Sequence, residues 1–339
     1  MVRKDYKDHT GVQEIMINPS KVVVVGLGAV GASIVFALME KNLYGEIVLI
    51  DANTNKAEGE AMDLSHGLPF AGTMDIHSGT YEEVGDASLI IITAGAAQKP
   101  GETRLDLIDK NITILSSILS EIKKTKFEGN LLLVANPVDV LTHEAVRLSG
   151  YPEKKVFGSG TVLDTARLKY NMGTYLGVDI RSVHTMIIGE HGDSEVPLWG
   201  LTNISGVPLD NFCRTRGIDE HQQKLQNIYE QVRDSAYEII AKKGSTCYGI
   251  AMAVTRICGA LVRNEKSVLT LSYHLHGEYG IEDVAMAVPC IVGSDGVEAV
   301  LQPPLTWQEH AALQKSAEAL KSNIAEAEKR LEAKEAAKK

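Results

Sequence analysis

The chain has 339 residues, 44% hydrophobic and 23% charged, which is enough to bury a large core and to divide into two lobes. Its 34 Lys and Arg against 44 Asp and Glu leave a formal charge of -10. That balance disfavours nucleic acid as a partner but leaves local pockets for small anions. No apolar run reaches the length of a membrane span, and residues 1–20 are polar, so neither membrane attachment nor a signal peptide is expected and the chain reads as cytoplasmic.

Cys213, Cys247, Cys258 and Cys290 are widely and irregularly spaced without a CxxC pair, and read as reduced thiols. There is no HExxH, and His274 and His276 read as ordinary polar residues, so no metal is expected.

In chain order, the apolar run Val22 to Val25 ends in Gly26-Leu27-Gly28-Ala29-Val30-Gly31 and a helical stretch from Ala32 to Glu40. This is strand, glycine turn, helix. Gly26 permits the turn, Gly28 admits a pyrophosphate and Gly31 lets the helix pack on the strand. The next strand, Glu46 to Ile50, delivers Asp51 twenty residues past Gly31, where a carboxylate would accept hydrogen bonds from an adenosine ribose. A carboxylate there repels the extra phosphate of NADP, so NAD is the expected cofactor. Lys56 either reaches the same ribose or is solvated.

Strands at Leu89 to Thr93 and Leu131 to Ala135 each lead into a loop and a helical pattern, as a doubly wound parallel sheet requires. The loops at their carboxyl ends place Gly95, Ala96 and Asn136 beside the cofactor. The segment from Ala96 through Gln98 and Pro100-Gly101 to Arg104 reads as a mobile loop before a helix beginning near Leu105.

In the second half, Val156 to Ser159 leads into Gly160-Thr161 and a helix reaching about Met172. Asp164 and Arg167 share one face of that helix, either as a local ion pair or with separate roles in a pocket. A strand from Val183 to Ile188 delivers Glu190-His191-Gly192 at its end. Leu225, Ile228, Val232, Ala236, Ile239 and Ile240 recur at helical spacing up to Gly244. Thr246 then serves as an N-cap or as a pocket lining. Thr306 and Glu309 form a capping box for a terminal helix, and the tail beyond Leu331 is expected to fray.

The motifs GLGAVG, AGAAQKPGETRLDL, ANPVDVLT, GSGTVLDTARL, IIGEHGDSEVPLW and KKGSTCYGIAM occur in this order. In them the chain resembles the bacterial L-lactate dehydrogenases of the wider lactate and malate dehydrogenase family, from about Lys21 to Leu331. The resemblance implies an α/β fold: a Rossmann doubly wound parallel sheet over residues 21–160, then an α+β substrate domain over 161–331. Residues 1–20 would be an N-terminal extension and 332–339 a tail.

The resemblance further implies that His191 exchanges a proton with the substrate, Asp164 supports it, Arg167 grips the substrate carboxylate and Arg104 closes over it. Asn136 and Thr246 would line the pocket, and Val30, Tyr81 and Ser159 would add NAD contacts. The implied reaction is the reduction of pyruvate to lactate in fermentative glycolysis. The alternatives are malate or another 2-hydroxy acid as substrate, or a non-catalytic protein that keeps the fold. In similar malate enzymes an arginine stands where Gln98 stands here. A second substrate carboxylate would then be buried unpaired, at a cost on the order of several kcal/mol. Such family members are usually homotetramers, and many bind fructose 1,6-bisphosphate at a subunit interface through an arginine and a histidine. His184 matches the histidine, but Lys169 holds the arginine's place, and its point charge implies weaker activation.

Overall fold

In the computed structural model, which describes residues 18–96, 103–218 and 221–336, the apolar runs fold into one long mixed sheet. Its first six strands are β1 (Asn18–Val25), β2 (Glu46–Ile50), β3 (Asp75–Ser78), β4 (Ala87–Ile92), β5 (Asn130–Leu133) and β6 (Val156–Gly158). They are parallel and run in the order β3-β2-β1-β4-β5-β6. Both faces are covered, so the strands read as continuous aliphatic runs, and Val22, Val23 and Val24 are fully buried. The crossovers are α1 (Ala29–Lys41), α2 (Thr54–Gly67), α3 (Arg104–Lys123) and α4 (Val138–Ser149). The order reverses between β1 and β4, which opens a crevice at the carboxyl ends of these strands.

The second half begins with α5 (Val162–Leu176). The strand expected from Val183 to Ile188 is instead two short ones, β7 (Val183–His184) and β8 (Ile187–Gly189). Its chain changes sheet at Thr185-Met186, where the Thr185 hydroxyl lies 2.7 Å from that of Thr202 and Met186 O accepts the Leu198 amide at 2.9 Å. β8 pairs with β9 (Glu195–Pro197), whereas β7 joins β10 (Asn203–Ile204) and β11 (Val207–Pro208) in a separate three-stranded sheet.

Helices α6 (Leu209–Thr215), α7 (His221–Lys243) and α8 (Tyr248–Val262) follow. The antiparallel strands β12 (Ser267–His276), β13 (Glu282–Gly293) and β14 (Gly296–Val300) then join the long sheet, β12 pairing with β6 and β13 with β8. The sheet therefore runs unbroken from the first half into the second. A smaller apolar cluster, including Leu168, Met172, Ile204, Leu225 and Val232, holds α5, α7 and the small sheet together.

Helix α9 (Trp307–Ala336) opens at the expected capping box, with the Glu309 amide bonded to Thr306 Oγ1 and the Thr306 amide to Glu309 Oε2. It continues past the expected fraying point at Leu331, because Ala, Glu and Lys are strong helix formers. At the other end β1 starts ahead of Lys21, where the Asn18 amide reaches Asp86 O at 2.6 Å. Among the described residues no helix is long and apolar enough to cross a membrane. The four cysteines are buried and unpaired.

Candidate active site

The carboxyl ends of the parallel strands carry the first group of candidate residues. Gly28 caps α1 without a side-chain bond to the first-turn amides, and no acidic residue stands in that turn. Those amides, with the positive end of the helix, remain available to an anion. Gly26 adopts φ 97°, and a Cβ there would lie 2.5 Å from the Ala94 backbone nitrogen. A Cβ on Gly31 would lie 1.9 Å from the Gly26 carbonyl oxygen. Gly28 differs, because nothing lies within 4 Å of the place its Cβ would take. The protein's own packing does not require glycine there, whereas a pyrophosphate passing over the loop does.

Asp51 follows β2, its Oδ2 accepting the Leu27 amide at 2.7 Å and its Oδ1 the Asn53 amide at 2.9 Å. The carboxylate is thus fixed beside the glycine turn. Val30 is half-buried on the first turn of α1, and Lys56 is exposed on that of α2. Tyr81, half-buried after β3, has its phenol pushed up to about 12 by burial and by Glu121.

Gly95 and Ala96 follow β4, Asn136 follows β5, and the buried Ser159 follows β6 with its amide on Leu133 O. Asn111 on α3 joins two of these loops. Its Oδ1 accepts the Ala96 amide at 2.7 Å and its Nδ2 donates to Asn136 O at 2.7 Å. A buried asparagine seven residues into a helix carried no motif, and the sequence reading missed it.

His191 stands just beyond β8. Its Nδ1 lies 2.6 Å from Asp164 Oδ2, and Arg167 Nη1 donates to Asp164 Oδ1 at 2.9 Å. Asp164 therefore touches both candidate partners at once, and its carboxyl is held below the usual range: burial opposes ionisation, but His191 and Arg167 outweigh it. Burial likewise opposes charge on His191, yet Asp164, Asp139 and Glu195 raise the imidazole to about 9. It is protonated at neutral pH, above the near-neutral value expected of a free histidine.

Two carboxyl groups in this cluster escaped the sequence reading. Asp139, on the first turn of α4, accepts the His191 amide at 2.7 Å and is hydrogen-bonded to Ser272 on β12. Burial raises it to about 6. Glu195 is 4% exposed, has no hydrogen-bond partner on Oε1, and is raised to about 8 by burial and by Asp164. Both lie inside the motifs ANPVDVLT and IIGEHGDSEVPLW, but only the folded chain brings them against the histidine.

Thr246 is half-buried ahead of α8, whose N-cap is Cys247. The helix starts one residue too late for Thr246 to cap it, which removes the capping alternative. Just beyond, a Cβ on Gly249 would meet Leu163 Cδ1 at 2.9 Å, so this segment abuts the start of α5. Arg104 is the first residue of α3, behind a capping box of Thr103 and Asp106. Gln98 and the side chain of Arg104 lie outside the described residues. Lys169, two residues past Arg167, faces another side of α5. Burial lowers its pKa. His184 is exposed on β7, which packs on α5.

Residues 20–158 match the NAD-binding domain of the lactate/malate dehydrogenases, and residues 161–331 match their alpha/beta C-terminal domain. An L-lactate dehydrogenase of Acetivibrio thermocellus is 49% identical over 304 residues, 90% of this chain and 96% of the relative. One of Priestia megaterium is 48% identical over 301 residues, covering 89% and 94%. Among solved structures, the minor L-lactate dehydrogenase of Enterococcus mundtii superposes with a TM-score of 0.88 at 44% identity, covering 91% of this chain and 98% of that one.

Proposed function

We propose that this chain, which belongs to the lactate/malate dehydrogenase family, is an NAD-dependent L-lactate dehydrogenase that reduces pyruvate to (S)-lactate. The observation that carries the reading is the chain of contacts His191–Asp164–Arg167 beside the carboxyl edge of a dinucleotide-type sheet. NADH, when bound, supplies the hydride for C2. Residues 21–160 would hold it, with Gly26, Gly28 and Gly31 at the pyrophosphate and Asp51 at the ribose. Val30, Lys56, Tyr81, Gly95, Ala96, Asn136 and Ser159 would complete the surround. The free amides of α1 and the open space over Gly28 fit that group.

Residues 161–331 would supply the acid–base pair and the carboxylate grip. Protonated His191 donates to the C2 oxygen as charge develops there, and Asp164 fixes the tautomer and stabilises the imidazolium. Arg167 offers two parallel N–H groups to the substrate carboxylate, which a lysine does not reproduce. Arg104 would polarise the C2 carbonyl on closure, and Asn136, Thr246 and Gln98 would line the pocket.

The test follows NADH oxidation with pyruvate against oxaloacetate. Pyruvate is preferred in the wild type, and Gln98→Arg moves the ratio of kcat/KM towards oxaloacetate. An unchanged ratio sinks the role given to Gln98, and no turnover of either acid sinks the enzyme reading.

Family resemblance and the reduced thiols support a cytoplasmic homotetramer in fermentative glycolysis. Lys169 and His184, on adjacent elements, support a weak fructose 1,6-bisphosphate site. Activation at subsaturating pyruvate checks it, and a flat titration removes it.

A further inference from the structure

Away from the active cluster, α4, the turn at Glu153 and the β12–β13 hairpin bring three imidazoles and two carboxylates together. His274 and His276 stand two apart on β12 and so share one face of the strand. The hairpin register slips opposite them: Leu275 pairs with Val284 and His276 with Glu282, which leaves Asp283 as the extra residue of a bulge. Asp283 adopts φ 55°, uncommon outside glycine, and bulges of this kind re-aim a side chain. Its Oδ1 comes to 3.8 Å from His274 Nε2.

On the other side lies His143 of α4, its ring 5.2 Å from that of His274. His143 is only 7% exposed, and its Nδ1 has no hydrogen-bond partner among the described residues. An unpartnered buried ring nitrogen has a desolvation cost that a ligand would remove.

We propose that His143, His274 and Asp283 form a binding site for a divalent transition metal ion of the Zn²⁺ class. Two imidazoles and one carboxylate are the donor set that Zn²⁺ favours over Mg²⁺ or Ca²⁺, with a fourth position left to water. One donor atom from each of the three lies within 4.8 Å of the others. A tetrahedral site with bonds of about 2.0–2.1 Å needs them about 3.4 Å apart. The exposed Asp283 side chain, already 3.8 Å from His274 Nε2, has room to turn towards that ring.

His276 Nε2 meets Glu153 Oε2 at 2.5 Å and lies 3.5 Å from His274 Nδ1. Contact with the His276 ring, centroids 4.9 Å apart, positions the ligating ring. The ion would tie α4 to the hairpin, joining the two halves of the chain without touching the substrate pocket. His274 and His276 alone gave no ligand set in the sequence, because the remaining donors come from another helix and from a bulge.

The experiment titrates Zn²⁺ into the full chain by calorimetry, with Co²⁺ as a spectroscopic stand-in. Expected are one equivalent per chain, a Co²⁺ spectrum without a thiolate band and a raised melting temperature. His274→Ala and Asp283→Asn weaken binding by about 100-fold or more and His276→Ala by about 10-fold. His143→Gln, a milder change, also abolishes tight uptake and guards against a fold defect in His274→Ala. Lack of uptake, a thiolate band, or affinity unchanged in Asp283→Asn and His143→Gln overturns the site. Equal loss in His276→Ala with Asp283→Asn unaffected overturns this donor set.

Discussion

Two histidine clusters in this molecule are both sheltered from solvent, and they differ in charge. At His191 the carboxylate of Asp164 is itself buried and 2.6 Å away, so its field is little screened and the imidazole is raised to about 9. At His143 and His274 the facing carboxylates of Asp283 and Glu328 reach towards solvent, desolvation prevails and both rings stay neutral. The location of the counter-charge, more than the burial of the ring, decides whether a histidine stores a proton or keeps a lone pair for a ligand.

The largest effect follows from removing the counter-charge. In Asp164→Asn, His191 loses its main support against burial, so the alkaline limb of kcat/KM for pyruvate moves down from about 9. At neutral pH kcat/KM should fall by about 10²- to 10⁴-fold. A pH–rate profile with an unmoved limb breaks the comparison. The same linkage has a stability side. Because the folded value of His191 is raised, its contribution is full below about 6.5 and disappears as pH rises through about 9.

A smaller effect belongs to Glu195, whose folded value is raised from 4.5 to about 8. Here the unfolded chain ionises first, so stability is lost as pH rises from 4.5 to 8 and remains low above. Glu195→Gln removes that loss and should stabilise the protein at pH 8 by on the order of a few kcal/mol. Thermal melts across this range check it. A variant whose advantage does not grow with pH excludes a buried, protonated Glu195.

The nucleotide half was legible because its signals are local. Parallel strands covered on both faces read as aliphatic runs, and the glycine turn and Asp51 sit at fixed distances within one contiguous unit. The second half was legible only in pieces. His191, Asp164 and Arg167 stood out in motifs, but Asp139, Asn111 and Glu195 act through contacts between residues 15 to 133 positions apart or through burial that no spacing reveals. The break between β7 and β8 was hidden for a related reason: Thr185 and Met186 fit an extended strand, and only tertiary bonds to Thr202 and Leu198 show the change of sheet.

The bare start of α1 has a consequence beyond recognition. With Gly28 at the cap position and no side chain answering the first-turn amides, the fold lacks the few tenths of a kcal/mol, on the order of 0.3, by which a serine or aspartate cap exceeds glycine. A bound dinucleotide would answer those amides, so cofactor binding adds to the stability of a half that is already folded. Its resistance to heat and proteases therefore rises with the logarithm of the ambient NAD(H) concentration, by about 2.7 kcal/mol at a hundred times Kd. The stability of this protein is thus tied to the concentration of the dinucleotide it binds.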